Sequence, residues 1–375
     1  MINKLNTLLI GVGEAGGRLV SEIMKKDRRY NGLFINTSYQ DINKLKNAKN
    51  IFVVPNADGT GRKRDVAKSY LKENSNAILD MINKFPLQNN IFFFFSFSGG
   101  TGSGMTPSLI NALGSLNKEG IVERNINIVG ILPDLEESKK AKRNAIECWN
   151  EVAKVSNKIN MSFILDNSKR KTREEINEEF ATMFDSMMNV SVADNEDIDA
   201  RVIDEADVET LMSAKGSASI YILPDDCDSA KVGLAQAMES SIFAEYESDI
   251  CDYLAISLLP SSNINRNDIS KVFNPREDKF IDGSNNKCNI VIATGYNLAL
   301  QKGTIELLEM SIKESHNTEE ESIDIKDIMI ESEVISKSKK APIKSSNNQV
   351  NKKVDSKKLD DILNDDSFWD ECFDL

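Results

Sequence analysis

The sequence is nearly without histidine: His316 stands alone in a polar, acidic stretch, where it reads as a surface residue rather than a ligand or base. That scarcity argues against a histidine-dependent triad. The five cysteines (Cys148, Cys227, Cys251, Cys288, Cys372) are scattered and show no metal-ligand pairing, which argues against a zinc site. An odd, dispersed set suits reduced thiols in a cytoplasm. Long apolar runs are missing as well. The greasiest stretch, Ile91 to Phe97, is strand-sized and falls short of the roughly 18 residues a membrane span needs. No basic segment followed by an apolar core and a cleavage site opens the chain, so the expectation is a cytoplasmic protein with no membrane partner. Positive charge is also in short supply. With 46 Lys+Arg against 59 Asp+Glu the net charge is −13, which disfavours tight autonomous binding to a phosphate backbone.

What is present is ordinary for a soluble globular protein: 375 residues, 40% apolar and 28% charged, enough for two domains. Over the first 165 residues short apolar runs (Leu8 to Ile10, Leu33 to Ile35, Ile51 to Val54, Ile91 to Phe97, Ile126 to Leu132, Ser162 to Leu165) alternate with helix-like stretches. Continuous apolar runs suit parallel strands buried on both faces, so the fold is expected to be α/β with its ligand at the carboxyl ends of the strands. Ile176, Phe180, Met183, Phe184 and Met187 have helical spacing and predict one long helix after the sheet. Further strands are predicted over Ser217 to Leu223, Tyr253 to Leu259 and Cys288 to Thr294, with a helix over Ser229 to Ile242, giving a second, smaller α/β domain. The organisation read from this is a nucleotide-binding domain over 1–171, a connecting helix over 172–196 and a second domain over 197–300. A helical extension follows over 301–335, where Ile305, Leu308 and Ile312 keep helical spacing. Over 336–375 a disordered tail is expected.

Two glycine-rich segments carry the chemistry. The first strand runs into Gly11-Val12-Gly13-Glu14-Ala15-Gly16-Gly17-Arg18, where glycines let the backbone turn and approach an anion at a helix N-terminus. This G-x-G-x-x-G match also fits a dinucleotide-binding enzyme, but the second strand ends Ile35-Asn36-Thr37-Ser38 without the acid that would hold a ribose. The second segment, Ser98-Gly99-Gly100-Thr101-Gly102-Ser103-Gly104, ends a buried strand and opens a helix with Pro107 in its first turn. Seven residues without a bulky side chain offer successive backbone N–H groups to phosphate oxygens. No lysine follows in the manner of a P-loop. Farther on, Asp204 and Asp207 lie three apart at a helix start, a spacing that suits helix capping as well as catalysis.

The second segment resembles the GGGTG[ST]G loop of the tubulin/FtsZ superfamily, with Ser98 in place of the first glycine. The first segment is similar to that family's other glycine loop, with Glu14, Ala15 and Arg18 as departures. Pro133-Asp134-Leu135-Glu136-Glu137 resembles the loop whose glutamate holds the nucleotide sugar, which points to Glu137, although Ala141 replaces the arginine expected four residues later. Asn36 matches an asparagine after the second strand. Asn167 is implied as a base or sugar contact, and Asn177, with Asp185 as second choice, as the guanine reader. The stretch from Asp204 to Ala218 is similar to the family's catalytic loop and following helix, and Ile292 to Tyr296 to its closing strand. The resemblance thus covers about Leu5 to Tyr296. It implies a GTPase that binds GTP or GDP, with magnesium neutralising the phosphates, and that polymerises with itself. Gly11, Gly13, Glu14, Ala15, Gly16, Gly17, Arg18, Asn36, Ser98, Gly99, Gly100, Thr101, Gly102, Ser103, Glu137, Asn167 and Asn177 are then the nucleotide residues. Asp204 and Asp207 would act on nucleotide held by the next subunit; no magnesium ligand can be named.

The departures from the bacterial consensus and the extension beyond Thr304 look more like the TubZ-type partition proteins of plasmids and phages than like cell-division FtsZ. Such proteins work through a basic DNA-binding adaptor, so DNA would be handled indirectly. Charge in the tail is segregated: Ser336 to Lys358 holds eight lysines against Asp355, and Leu359 to Leu375 holds seven acids and no base. Leu359, Ile362, Leu363, Phe368, Trp369 and Phe373 among those acids suit capture by a basic adaptor, as against a merely solubilising end. The lysine-rich linker is a second candidate for touching DNA. A cell-division scaffold and a nicotinamide-dependent oxidoreductase stand as the alternative readings.

Overall fold

The computed structural model describes residues 3–45, 48–169, 171–190, 203–227, 229–245, 250–282, 288–296, 356–363 and 365–375. His316, the extension over 301–335 and the linker as far as residue 355 lie outside them.

The amino-terminal half alternates strand and helix: β1 (Thr7–Val12), α1 (Gly13–Lys26), β2 (Asn31–Asn36), α2 (Tyr39–Asn43), β3 (Ile51–Val53), α3 (Arg64–Asn83), β4 (Asn90–Ser96), α4 (Thr101–Lys118), β5 (Asn125–Leu132), α5 (Lys139–Lys154), β6 (Met161–Asp166) and α6 (Arg173–Met188). Then come α7 (Glu205–Ser213), β7 (Gly216–Leu223), α8 (Ala230–Glu239), β8 (Tyr253–Ser257), α9 (Arg266–Phe273), β9 (Asp278–Asp282) and β10 (Asn289–Tyr296). All ten strands of the described residues form one sheet in the order β3-β2-β1-β4-β5-β6-β7-β10-β8-β9. Pairing is parallel from β3 through β6 to β7, antiparallel on both sides of β10, and parallel again between β8 and β9.

Strand β4 explains the layering. Its phenylalanines are fully buried and alternate faces: Phe93 and Phe95 pack with α3, α4 and α5, while Phe92 and Phe94 pack with α1 and α6. Phe184 of α6 meets Phe92 edge to face, with ring centroids 5.1 Å apart. The long helix is sharply started by a capping box between Thr172 and Glu175. It lies against both the parallel strands and β7, so one apolar cluster runs from Leu9 to Ile292.

Strand order reverses between β1 and β4, leaving a crevice at the carboxyl ends of the parallel strands. Helix α4 begins inside the second glycine segment, at Thr101, so Pro107 sits within the helix and not in its first turn.

The tail departs from expectation. Residues 356–375 contribute α10 (Ser356–Leu363) and α11 (Asp366–Phe373), and they pack on the body. Leu359, Leu363, Trp369 and Cys372 are buried in the cluster that α3, α4 and α5 form against the sheet. Asp361, Asp365, Asp370, Glu371 and Asp374 stay exposed. The acids therefore remain in water while an apolar stripe is buried, and charge alone does not keep the segment away from an acidic body.

Candidate functional site

Helix ends define the site. Helices α2, α5, α6, α7, α8, α9 and α11 each start with a side chain accepting a hydrogen bond from the first turn. Helices α1, α3 and α4 start with Val12, Lys63 and Gly100 and have no such cap. The uncapped ends of α1 and α4 open onto one cleft of about 540 Å³, a volume suited to a small ligand, and the segment before α3 lines it as far as Arg62. Two sets of first-turn N–H groups and two helix dipoles therefore converge on one place, and that place favours an anion.

The cleft is lined by Gly13, Glu14, Ala15 and Arg18 from the first segment, and by Ser98, Gly99, Gly100, Thr101 and Gly102 from the second. Asn36, Glu137, Asn167 and Asn177 line it as well. Four residues expected there do not. Gly11, Gly16, Gly17 and Ser103 are absent from the wall, and packing explains why these positions are small. A Cβ on Gly16 would stand 1.9 Å from the Phe94 carbonyl oxygen, and one on Gly11 would stand 2.8 Å from Gly17 Cα. These three glycines let α1 lie directly on β1 and β4. Ser103 turns its hydroxyl back to the Gly99 carbonyl, 2.5 Å away. Gly99 differs: a Cβ there would meet only Ser96 O, at 3.9 Å. Its smallness answers to nothing within the chain.

A third wall was not anticipated from the sequence. Gly59, Thr60, Gly61 and Arg62, between β3 and α3, face the cleft opposite α4. Like the other two, this segment has glycines between a strand and a helix, here within the loop that joins them. It docks so closely that a Cβ on Gly100 would stand 2.1 Å from Thr60 Oγ1. Asn144 of α5 ties it to the second glycine segment: its buried amide donates to the carbonyls of Arg62 (3.0 Å), Ser98 (3.2 Å) and Gly99 (3.0 Å). Thr37 and Thr101 share a hydrogen bond of 2.7 Å across β2 and α4. Asn36 accepts from the N–H groups of Thr37 and Ser38, which shapes that turn.

Charges gather at the mouth. Arg62 approaches Glu137 Oε2 at 3.1 Å, and Arg173 binds Glu137 Oε1 at 2.9 Å. The Oε2 atom is buried and receives no hydrogen bond of good geometry, so acceptor capacity remains there. Arg18 pairs with Glu14 at 2.7 Å and approaches Glu174 at 3.6 Å. Asp185, the second choice for reading the base, is engaged elsewhere: it binds Lys4 (2.6 Å), Tyr30 Oη (2.9 Å) and Asn189 (3.0 Å). Among the described residues no three His, Cys, Asp or Glu side chains come together as a metal site. No described helix is long and apolar enough to cross a membrane.

Asp204 and Asp207 stand outside this cleft, at the start of α7. They form a reciprocal capping box: Asp204 accepts from the Asp207 N–H at 2.9 Å, and Asp207 from the Asp204 N–H at 3.1 Å. Burial pushes the Asp207 carboxyl above its ordinary range; the Asp204 N–H opposes this, and the nearby charges of Asp204 and Asp278 add to it.

Comparison with known proteins places these features. Residues 6–172 match the tubulin/FtsZ family GTPase domain, and residues 207–297 match the C-terminal domain of the tubulin-like protein TubZ. The chain is 34% identical over 306 residues to the tubulin-like protein TubZ of a Clostridium botulinum C phage, covering 81% of this chain and 82% of that one. It is 32% identical over 169 residues to a tubulin-like CetZ of Methanothrix thermoacetophila, covering 40% of this chain. The solved structure of Clostridium botulinum phage c-st TubZ superposes with a TM-score of 0.73 at 32% identity, covering 84% of this chain and 99% of that one. A GTPγS-form protofilament of Bacillus thuringiensis serovar israelensis TubZ, 14% identical with a TM-score of 0.68, shares the fold.

Proposed function

Because this chain belongs to the tubulin/FtsZ family and carries a TubZ-type C-terminal domain, we propose that it is a filament-forming GTPase that moves plasmid or phage DNA through an adaptor. Membership sets aside the nicotinamide-dependent oxidoreductase. The TubZ match favours partition over a cell-division scaffold.

The observation that carries the reading is the convergence of the two uncapped helix starts, those of α1 and α4, on one cleft. The phosphates of GTP satisfy those N–H groups, with Gly99 open to their approach. The ribose hydroxyls lie toward Glu137, whose Oε2 has acceptor capacity, and Asn167. The base lies toward Asn177. Magnesium accompanies the phosphates. Bound there, it would neutralise the charge of the phosphates.

Hydrolysis breaks the bond between the γ-phosphorus and the bridging oxygen as water attacks in line, giving GDP and phosphate. Among the described residues, Asp41 is the one acid that lines the cleft outside the arginine-paired mouth. Asp204 and Asp207 supply the water-positioning carboxylates from the next subunit, so turnover requires assembly. Light scattering and electron microscopy with GTP, GDP and ATP check this: filaments are expected with GTP and magnesium. Equal assembly with ATP, or none with GTP, would sink the reading. For the adaptor, deletion of 356–375 is expected to leave filaments intact while co-sedimentation of an adaptor–DNA complex is lost.

A further inference from the structure

The partner reading above needs the aromatic residues of the tail, yet in this structure Trp369 is buried and Phe368 and Phe373 are half-buried. Trp369 and Leu363 are 5% and 4% exposed, and Cys372 is 2% exposed. The groove that takes them lies between α3 and α4. Trp369 Nε1 donates to Asn76 Oδ1 of α3 (3.2 Å) and to the Leu363 carbonyl (3.0 Å), which ties α10 to α11. Phe368 and Phe373 flank the indole with ring centroids 5.2 and 5.9 Å away. Lys72 of α3 pairs with Asp370 at 2.8 Å, and Asn111 of α4 donates to the Cys372 carbonyl at 3.3 Å. This is helix-in-groove recognition: apolar anchors inside, one ion pair at the rim and backbone carbonyls satisfied by an asparagine.

We propose that the α3–α4 groove is a binding site for an acidic, aromatic-bearing helix. Its ligand is residues 356–375 of the same chain, so the tail is a recognition element that its own body covers. A basic partner then captures the tail only from the opened form. That consequence rests on the adaptor reading, whereas the groove and its occupant do not. The opening is a local event. It involves two short helices, and the rim contacts are exposed.

Cys372 reports the opening without any partner. N-ethylmaleimide labelling of the full chain, mapped by mass spectrometry, is expected to modify Cys372 far more slowly than the half-buried Cys227 and Cys288. Asn76→Ala, changed on the groove side, is expected to speed Cys372 labelling by about tenfold, in keeping with the loss of a hydrogen bond to a buried indole; Lys72→Glu, which breaks an exposed ion pair on the same side, is expected to speed it by about twofold to fivefold. Cys148 and Cys251, buried in the body, should stay slow in both variants, which excludes general unfolding. The Cys372 rate should not change on dilution, because the occupant is the chain's own tail. Labelling of Cys372 as fast as an open thiol, indifference to both groove variants, or protection that disappears on dilution would each overturn the proposal. Because no partner is present, a failed adaptor experiment leaves this result standing, and the reverse holds too.

Discussion

Asn144 shows how much of the site depends on a residue that never faces the ligand. One buried amide holds the carbonyls of Arg62, Ser98 and Gly99, and so sets the spacing of two walls of the cleft. Asn144→Ala leaves those carbonyls without their donor, at a cost of about 1–3 kcal/mol. GTP affinity is expected to fall with it, by about tenfold. A fluorescent-nucleotide titration beside a melting curve checks this; unchanged affinity would show that the walls hold without the amide. The two aspartates of α7 call for a finer change than alanine. Asn caps a helix as well as Asp does, so Asp204→Asn and Asp207→Asn keep the capping box and remove only the charge. If the carboxylates position water for the neighbouring subunit, turnover drops about a hundredfold or more while GTP binding and the melting temperature hold. Near-normal phosphate release from both variants would return them to capping alone. The pH dependence follows from burial. Below its pKa the Asp207 carboxyl is neutral and cannot act, so turnover falls as pH falls. Because that pKa is raised, the acid limb is expected above the 3.8 of an ordinary aspartate.

At the scale of elements, the glycines separate into two jobs that their spacing did not distinguish. Gly16 is small because β4 passes behind it, and Gly99 is small although nothing in the chain crowds it. Gly16→Ala is therefore expected to destabilise the fold by about 1–3 kcal/mol, as overpacking does, because backbone must move. Gly99→Ala should leave the melting temperature in place and weaken GTP binding. Thermal melts with and without nucleotide distinguish the two, and equal effects would contradict the division. The same scale shows what the sequence made legible. Buried parallel strands were readable because both faces are apolar, as in the four phenylalanines of β4. The edge strand β9 was not, since Asp278-Lys279-Phe280-Ile281-Asp282 buries little and carries charge at both ends. The wall at Gly59 to Arg62 carried a readable signal, two glycines between a strand and a helix. The contributions of Arg173 and Asn144 carried none, because they depend on how α5 and α6 pack. The tail misled for a related reason. Its acid count argued for solvent, whereas the i,i+4 pairing of Leu359 with Leu363 decided which face was buried.

For the whole molecule, one sheet carries both the candidate cleft and, beyond β6, the strands that follow the paired aspartates of α7. On the proposed reading each chain presents a nucleotide at one place and carboxylates at another, and assembly is expected to bring them together. The measurement that tests this most directly is GTP turnover per subunit as a function of protein concentration, recorded with light scattering on the same samples. Turnover is expected to be near zero in dilute solution and to rise at the concentration where scattering rises. A rate per subunit that stays constant from well below that concentration to well above it would contradict hydrolysis at a subunit interface.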